Sequence, residues 1–273
     1  MRAQRYRSEG FEIQTHVRDG RDPAVVLLHG AGGHGLAWEP ILDAFGDRQL
    51  ILVDLPGHGD SPSSDDWSLE RLARDLVRVV GQEHAGPLVW GGHSWGGKTA
   101  ALVAALAPAA VRALVLIDPS PASPVPITPE DFVASALDSE LGPWSSLDDA
   151  SAAVRALPQY THWTPALRRS FERGVVQRPD GSVAARVRRD DLLAITAATL
   201  NHDDSATIGT LSVPTLLVLA EQSMFWQEPT NVAVLGNLPN VTTTTLAGHH
   251  WLHYEPPQPL IATLRPWLDE VAA

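Results

Sequence analysis

Ser94 stands between Gly92 and Gly96, directly after the apolar run Leu88–Gly91 and before the alanine-rich run Trp95–Leu106. A Gly-x-Ser-x-Gly pattern at a strand-to-helix junction holds its serine on a sharp, strained turn, with Oγ exposed at the start of the helix. Glycines two positions either side let the crossing backbones approach closely. The helix N-terminus favours negative charge developing there. A hydroxyl is a weak nucleophile at neutral pH and needs a base, and in this kind of site the base is a histidine late in the chain. His249, in Leu246-Ala247-Gly248-His249-His250, follows a glycine after the strand-like Thr242–Leu246 and is the expected base. His250 and His253 compete for the role, and with Trp251 they also read as a packed aromatic segment. These three histidines have no carboxylate partner at a ligand spacing, so no metal is expected.

The imidazole needs an acid to fix its tautomer and stabilise its charged form. Asp118 closes the apolar run Leu114–Asp118, at the carboxyl end of a strand, the edge where sites form in such sheets. It also precedes Pro119, so it could simply start a turn. Glu221 follows the strand Leu216–Ala220 and is the alternative acid; Ser223 stands where an aspartate is commonly found. Asp118 is the preferred reading. A tetrahedral intermediate needs two preorganised donors. The backbone amides of Trp95, after the serine, and Ala31, in the turn His29-Gly30-Ala31-Gly32-Gly33, are the candidates.

These residues need a scaffold. Strand-like and helix-like stretches alternate, the pattern of a mostly parallel α/β sheet. Strands are predicted at Val25–His29, Leu50–Val53, Leu88–Gly91, Leu114–Asp118, Pro214–Ala220 and Asn240–Leu246. Helices are predicted from Ser68, a plausible N-cap, over Trp95–Leu106 and near Leu260–Val271. From Pro119 to about Ser205 no buried strand is evident, but Pro129–Leu141, Leu147–Leu157 and Asp190–Leu200 read as helical. Residues 119–205 are therefore expected to form a helical cap inserted after strand 6 of a core made of 1–118 and 206–273. Trp144 and Trp163 are candidate walls of a substrate pocket, or packing residues of the cap. Seven arginines lie between Arg168 and Arg189; a solvated surface is the preferred reading over a face for an acidic substrate. Pro179-Asp180-Gly181 marks a turn between two short segments.

Composition bounds the partners. A chain of 273 residues, 44% hydrophobic, 19% charged and at net charge −12 has ample core but lacks the basic surface that nucleic acid or anionic membrane requires. There is no cysteine, hence no disulfide framework. No leader or membrane-spanning run is evident, and a cytoplasmic address is the default. A small-molecule substrate, apolar or aromatic in view of nine tryptophans, is expected; nothing indicates the oligomeric state.

Four segments in order, His29-Gly30, Asp54-Leu55-Pro56-Gly57-His58-Gly59-Asp60-Ser61, the Gly92–Gly96 turn and Ala247-Gly248-His249, resemble the α/β-hydrolase superfamily. The resemblance implies a mainly parallel eight-stranded sheet with a helical lid, no cofactor, and two-step acyl transfer by a Ser-His-Asp triad. An acid after strand 6 is similar to haloalkane dehalogenases and some serine lactonases of this fold. Dehalogenases use an aspartate nucleophile where this chain has Ser94, so ester or lactone cleavage is the expectation. Carbon–carbon bond hydrolysis uses the same triad, and the Gly-x-Ser-Trp-Gly turn is similar to that of proline iminopeptidases.

A rival of another class shares the same residues. Gly92-His93-Ser94-Trp95-Gly96-Gly97-Lys98-Thr99 satisfies the phosphate-loop pattern of nucleotide triphosphatases, between a strand and a helix. That reading leaves His29-Gly30 and Gly248-His249 without a role, and at least two strands precede the loop. A catalytically silent binding protein of the hydrolase fold is the third reading, resting on the ambiguous acid.

Overall fold

The structure is a computed structural model describing residues 1–273 except 9, 85, 158–159, 161–162, 224, 226–233, 255 and 272–273. Its strands are β1 (Arg2–Ser8), β2 (Phe11–Arg18), β3 (Arg21–Leu28), β4 (Arg48–Asp54), β5 (Leu88–His93), β6 (Val111–Ile117), β7 (Val175–Gln177), β8 (Val183–Ala185), β9 (Thr215–Gln222) and β10 (Val241–His249). Its α-helices include α1 (Leu69–Gly81), α2 (Ser94–Leu106), α3 (Pro129–Ala136), α4 (Leu147–Arg155), α5 (Pro165–Gly174), α6 (Arg189–Leu200), α7 (Ser205–Ile208) and a last helix, Pro257–Val271.

Eight strands form one sheet in the order β1-β2-β4-β3-β5-β6-β9-β10. From β4 to β10 all neighbours are parallel, whereas β1–β2 and β2–β4 are antiparallel. The central strands β3 and β5 are apolar almost throughout because helices cover both faces. One buried cluster packs Val26, Leu28, Trp90 and Leu114 against α1 and α2. The other packs Leu27, Val89, Val115 and Val218 against Trp38, Ile41 and the last helix.

The two N-terminal strands are not evident in the sequence. β1 reads Arg-Ala-Gln-Arg-Tyr-Arg-Ser and buries only Tyr6 fully. A charged edge strand protects the sheet from further pairing and so carries no apolar signature. Ser68 does cap α1, its side chain accepting from Arg71 N.

Between β6 and β9, no segment of the described residues joins the large sheet. This stretch holds α3, α4, α5, the hairpin β7–β8 around Pro179-Asp180-Gly181, α6 and α7. It meets the rest of the chain through ion pairs as well as apolar contacts. Arg169 and Arg173 reach Glu39, and Arg186 reaches Asp60. Arg168, Arg188 and Arg189 pair with Glu172, Asp191 and Asp138. Six of the seven arginines thus face carboxylates of the chain itself, which disfavours a face built for an acidic substrate. Among the described residues, no helix is long and apolar enough to cross a membrane.

Candidate active site

Strand β5 runs straight into α2, and the junction residue Ser94 has φ 52°. A left-handed backbone costs an L-residue energy, and the crossing of strand and helix enforces it here. A Cβ on Gly92 would come within 2.2 Å of Gly96 O, and one on Gly96 within 2.3 Å of Leu28 O. Only glycine allows that approach, which is why the pattern requires it on both sides. Ser94 is nearly buried, at 8% exposure. Its Oγ lies 3.4 Å from Ser120 Oγ, and Ser120 N donates to Ser94 O at 3.0 Å. Among the described residues no hydrogen bond joins Ser94 Oγ to a histidine.

Asp118 follows the last residue of β6 and, like Ser94, has positive φ, 40°. It is fully buried. Its Oδ1 accepts from Ala220 N at 3.0 Å and its Oδ2 meets His250 Nδ1 at 2.6 Å. A carboxylate accepts, so Nδ1 donates and Nε2 of His250 keeps its lone pair. Glu221, the other candidate acid, is exposed on β9.

The imidazole that meets Asp118 is therefore His250, not the expected His249. The reason is a bulge. The pairing of β10 with β9 shifts register between Leu246 and His249, and the strand continues to His249, which pairs with Gln222. The glycine at 248 thus lies inside the strand instead of ending it. His249 ends the strand half-buried, and His250, the next residue, is buried at 4% exposure.

Three further histidines hold the surroundings. His93, the residue before Ser94, donates from Nε2 to His250 O at 2.9 Å, and the two rings lie 4.5 Å apart. The loop that carries His250 is thereby tied to the strand end that carries Ser94. In the turn of Ala31, His29 Nε2 accepts from Leu55 N at 3.0 Å, so its Nδ1 donates to Gly30 O at 2.8 Å. His58 repeats the arrangement: Nε2 accepts from Gly32 N at 3.0 Å and Nδ1 donates to Pro56 O at 2.9 Å. The two amides flanking Ala31 are fixed through these rings, and a Cβ on Gly30 would lie 3.1 Å from Ser94 Cβ. Burial lowers the pKa of all three, of His58 to about 4 and of His29 and His93 well below the ordinary value. Neutral rings can use one nitrogen as acceptor, as His29 and His58 do. Asp54 anchors the same region, accepting from Gly35 N at 2.7 Å and Asp60 N at 3.0 Å and meeting His16 Nε2 at 3.2 Å. Burial pushes its carboxyl up, but these partners outweigh it and bring it down to about 2.

A cavity of about 60 Å³ opens beside Gly30, Ala31 and His93; Ser94 and His250 adjoin residues of its wall but do not themselves line it. Leu137, Tyr160, Phe171, Trp251 and Tyr254 contribute to its wall. Tyr160 Oη donates to Glu140 Oε2 at 2.8 Å; burial, then the Glu140 charge, keeps the phenol protonated by pushing its pKa well up. Trp144 and Trp163, candidates for either pocket wall or packing, do not line this cavity. They pack one layer behind, Trp163 on Tyr160 and Phe171, and Trp144 on Phe171.

The phosphate-loop reading fails on Lys98. Its ammonium is buried and meets Asp204 Oδ2 at 2.8 Å, Thr199 O at 2.7 Å and His202 O at 3.2 Å. These use all three of its donors, leaving none for a phosphate.

Residues 25–263 match the Alpha/beta hydrolase family. The chain is 42% identical over 113 residues to the pimeloyl-[acyl-carrier protein] methyl ester esterase of Methylococcus capsulatus, covering 41% of this chain and 42% of that protein. It is 32% identical over 170 residues to lipase LipV of Mycobacterium tuberculosis, covering 60% and 62%. The chain thus spans less than two thirds of the length of either relative. Among solved structures, E-2-(acetamidomethylene)succinate hydrolase superposes with a TM-score of 0.83 over 98% of both chains at 22% identity. At that identity the likeness concerns the fold.

Proposed function

The chain belongs to the alpha/beta hydrolase family, and on that premise we propose that it hydrolyses small carboxylic esters or lactones with Ser94 as nucleophile. In this reading His250 is the base and Asp118 its acid. The amides of Ala31 and Trp95 receive the oxyanion, and residues 119–205 form a cap over the cavity. Ser94 attacks the carbonyl carbon while His250 Nε2 takes the Oγ proton. The tetrahedral intermediate collapses, His250 passes the proton to the leaving alkoxide, and water resolves the acyl-enzyme by the reverse sequence. The amide of Trp95 suits the oxyanion because the first amides of a helix have no intrahelical acceptor.

One observation carries the assignment: the buried 2.6 Å contact of His250 Nδ1 with Asp118 Oδ2, beside a serine held at φ 52°. The hydrogen bond from serine to imidazole is commonly loose until substrate arrives. The relatives named for ester hydrolysis support the reaction class. The test is a hydrolysis panel of short and long esters, lactones and vinylogous diketones, with Ser94→Ala as control, alongside labelling by a serine-directed phosphonate. Labelling confined to Ser94 is the expected result. Labelling elsewhere, or turnover surviving in Ser94→Ala, overturns it.

A further inference from the structure

Asp204, the residue before α7, is 2% exposed. Its Oδ2 forms an ion pair with Lys98 at 2.8 Å, but neither carboxylate oxygen has a hydrogen bond of ordinary geometry among the described residues. A buried carboxylate oxygen left unsatisfied is costly. What lies next to it are two further donors of metal-binding type. His202 Nε2 stands 3.5 Å from Asp204 Oδ1, and Glu70, the second residue of α1, faces the same point. One ligand atom from each of the three lies within 4.8 Å of the others. The sequence shows no ligand spacing here, because folding brings α1 beside the end of α6.

We propose that Glu70, His202 and Asp204 form a transition-metal site of the zinc class, separate from the catalytic cavity. One imidazole with two carboxylates matches zinc, and the imidazole argues against magnesium or calcium. Zinc–ligand distances of about 2.0–2.2 Å bring tetrahedral donors to about 3.4 Å from one another, so the set must contract by about 1 Å. Asp204 is fixed by Lys98 and burial. His202, with its side chain 59% exposed, and the long Glu70 side chain are the groups that move. Water completes the coordination. Lys98 opposes the cation, but it holds the other oxygen of the carboxylate. Glu70, Asp204 and Lys98 together leave one negative charge. Bound metal would clip α1 of the core to the segment leaving α6, where Lys98 already holds Thr199 O and His202 O from α2.

The test uses the full chain freed of metal with a chelator, then titrated with zinc by calorimetry and thermal unfolding, and with cobalt(II) by visible absorption. One equivalent of zinc, a raised Tm and a cobalt spectrum with an imidazole ligand are expected. His202→Ala and Glu70→Gln should each weaken binding roughly tenfold or more while leaving the metal-free Tm unchanged. No binding by the wild-type chain, or stoichiometric binding that both variants retain, overturns the proposal. Either result leaves the catalytic reading intact, because none of the three residues belongs to it.

Discussion

Ser94 and Lys98 lie one turn apart on α2, in a single short motif, yet they serve two different regions of the molecule. Toward the sheet edge, Ser94 sits beside a buried acid whose two oxygens are both partnered, by His250 and by Ala220 N. Toward the 119–205 segment, Lys98 is ion-paired with a buried acid neither of whose oxygens has a hydrogen bond of ordinary geometry among the described residues. The first pair turns Nδ1 of His250 to the carboxylate, which in the proposed reaction leaves Nε2 as the base nitrogen. The second uses every donor of its cation to fasten a helix end. A motif of eight residues is consistent with either a nucleophile or a phosphate grip; the partners that the fold brings to each residue decide.

The sharpest way to break this contrast is through the reacting side. Ser94→Ala and His250→Gln are each expected to lower kcat by about 10⁴ or more. His249→Gln should change it by no more than a few-fold, since His249 pairs with Gln222 at the strand end. Steady-state kinetics on a short ester reads the difference, and the reverse ranking of the two histidines would return the base to His249. Asp118→Asn should likewise cost about 10⁴ in kcat, whereas the exposed Glu221→Gln should be near neutral.

On the fastening side the expected loss is stability. Lys98→Met leaves Asp204 buried without its cation, which typically costs about 3–5 kcal/mol, or on the order of 10 °C in Tm for a chain of this size. Lys98→Met combined with Asp204→Leu should recover most of that, because an apolar pair avoids the uncompensated charge. Calorimetric unfolding of the single and double variants measures both. A single variant as stable as the wild type would mean the ion pair does not fasten the helix.

The same two regions show what the sequence could convey. Ser94 and Asp118 were legible because strand ends advertise themselves by apolar runs stopping at a polar residue. The sequence ranks His249 above its competitors His250 and His253, whereas the imidazole that meets Asp118 is His250, because a bulge inside β10 carries the strand past Gly248 and no local signal marks a bulge. β1 was missed because an edge strand needs little apolar surface. Trp144 and Trp163 left two readings open, pocket wall or packing within residues 119–205, because their size announces burial but not the side they pack on; their contacts with Tyr160 and Phe171 accord with packing. The roles of His29, His58 and His93 were hidden for another reason. Their hydrogen bonds go to backbone groups far along the chain, which leave no trace in residue type.

Those buried neutral histidines make the last prediction, a dependence of stability on pH. In the folded chain burial lowers His58 to about 4, and burial followed by the His250 charge lowers His253 to about 3, against 6.5 in the unfolded chain. Between these limits the unfolded state binds protons that the folded state refuses, so stability rises with pH. Each group contributes a slope approaching about 1.4 kcal/mol per pH unit, from about 6.5 down to its folded value. His29, His34 and His93, shifted the same way by burial, steepen the fall. Asp54, held down to about 2, adds stability that is present above its unfolded pKa and is lost only between about 4 and 2. Urea unfolding at pH 7.5, 6 and 5 should therefore show little loss at first and a growing one below 6. His253→Gln should flatten the slope without abolishing it. A midpoint constant from pH 7.5 to 5 would show that the folded chain takes up these protons, and the neutral rings that lock the Ala31 turn would lose their basis.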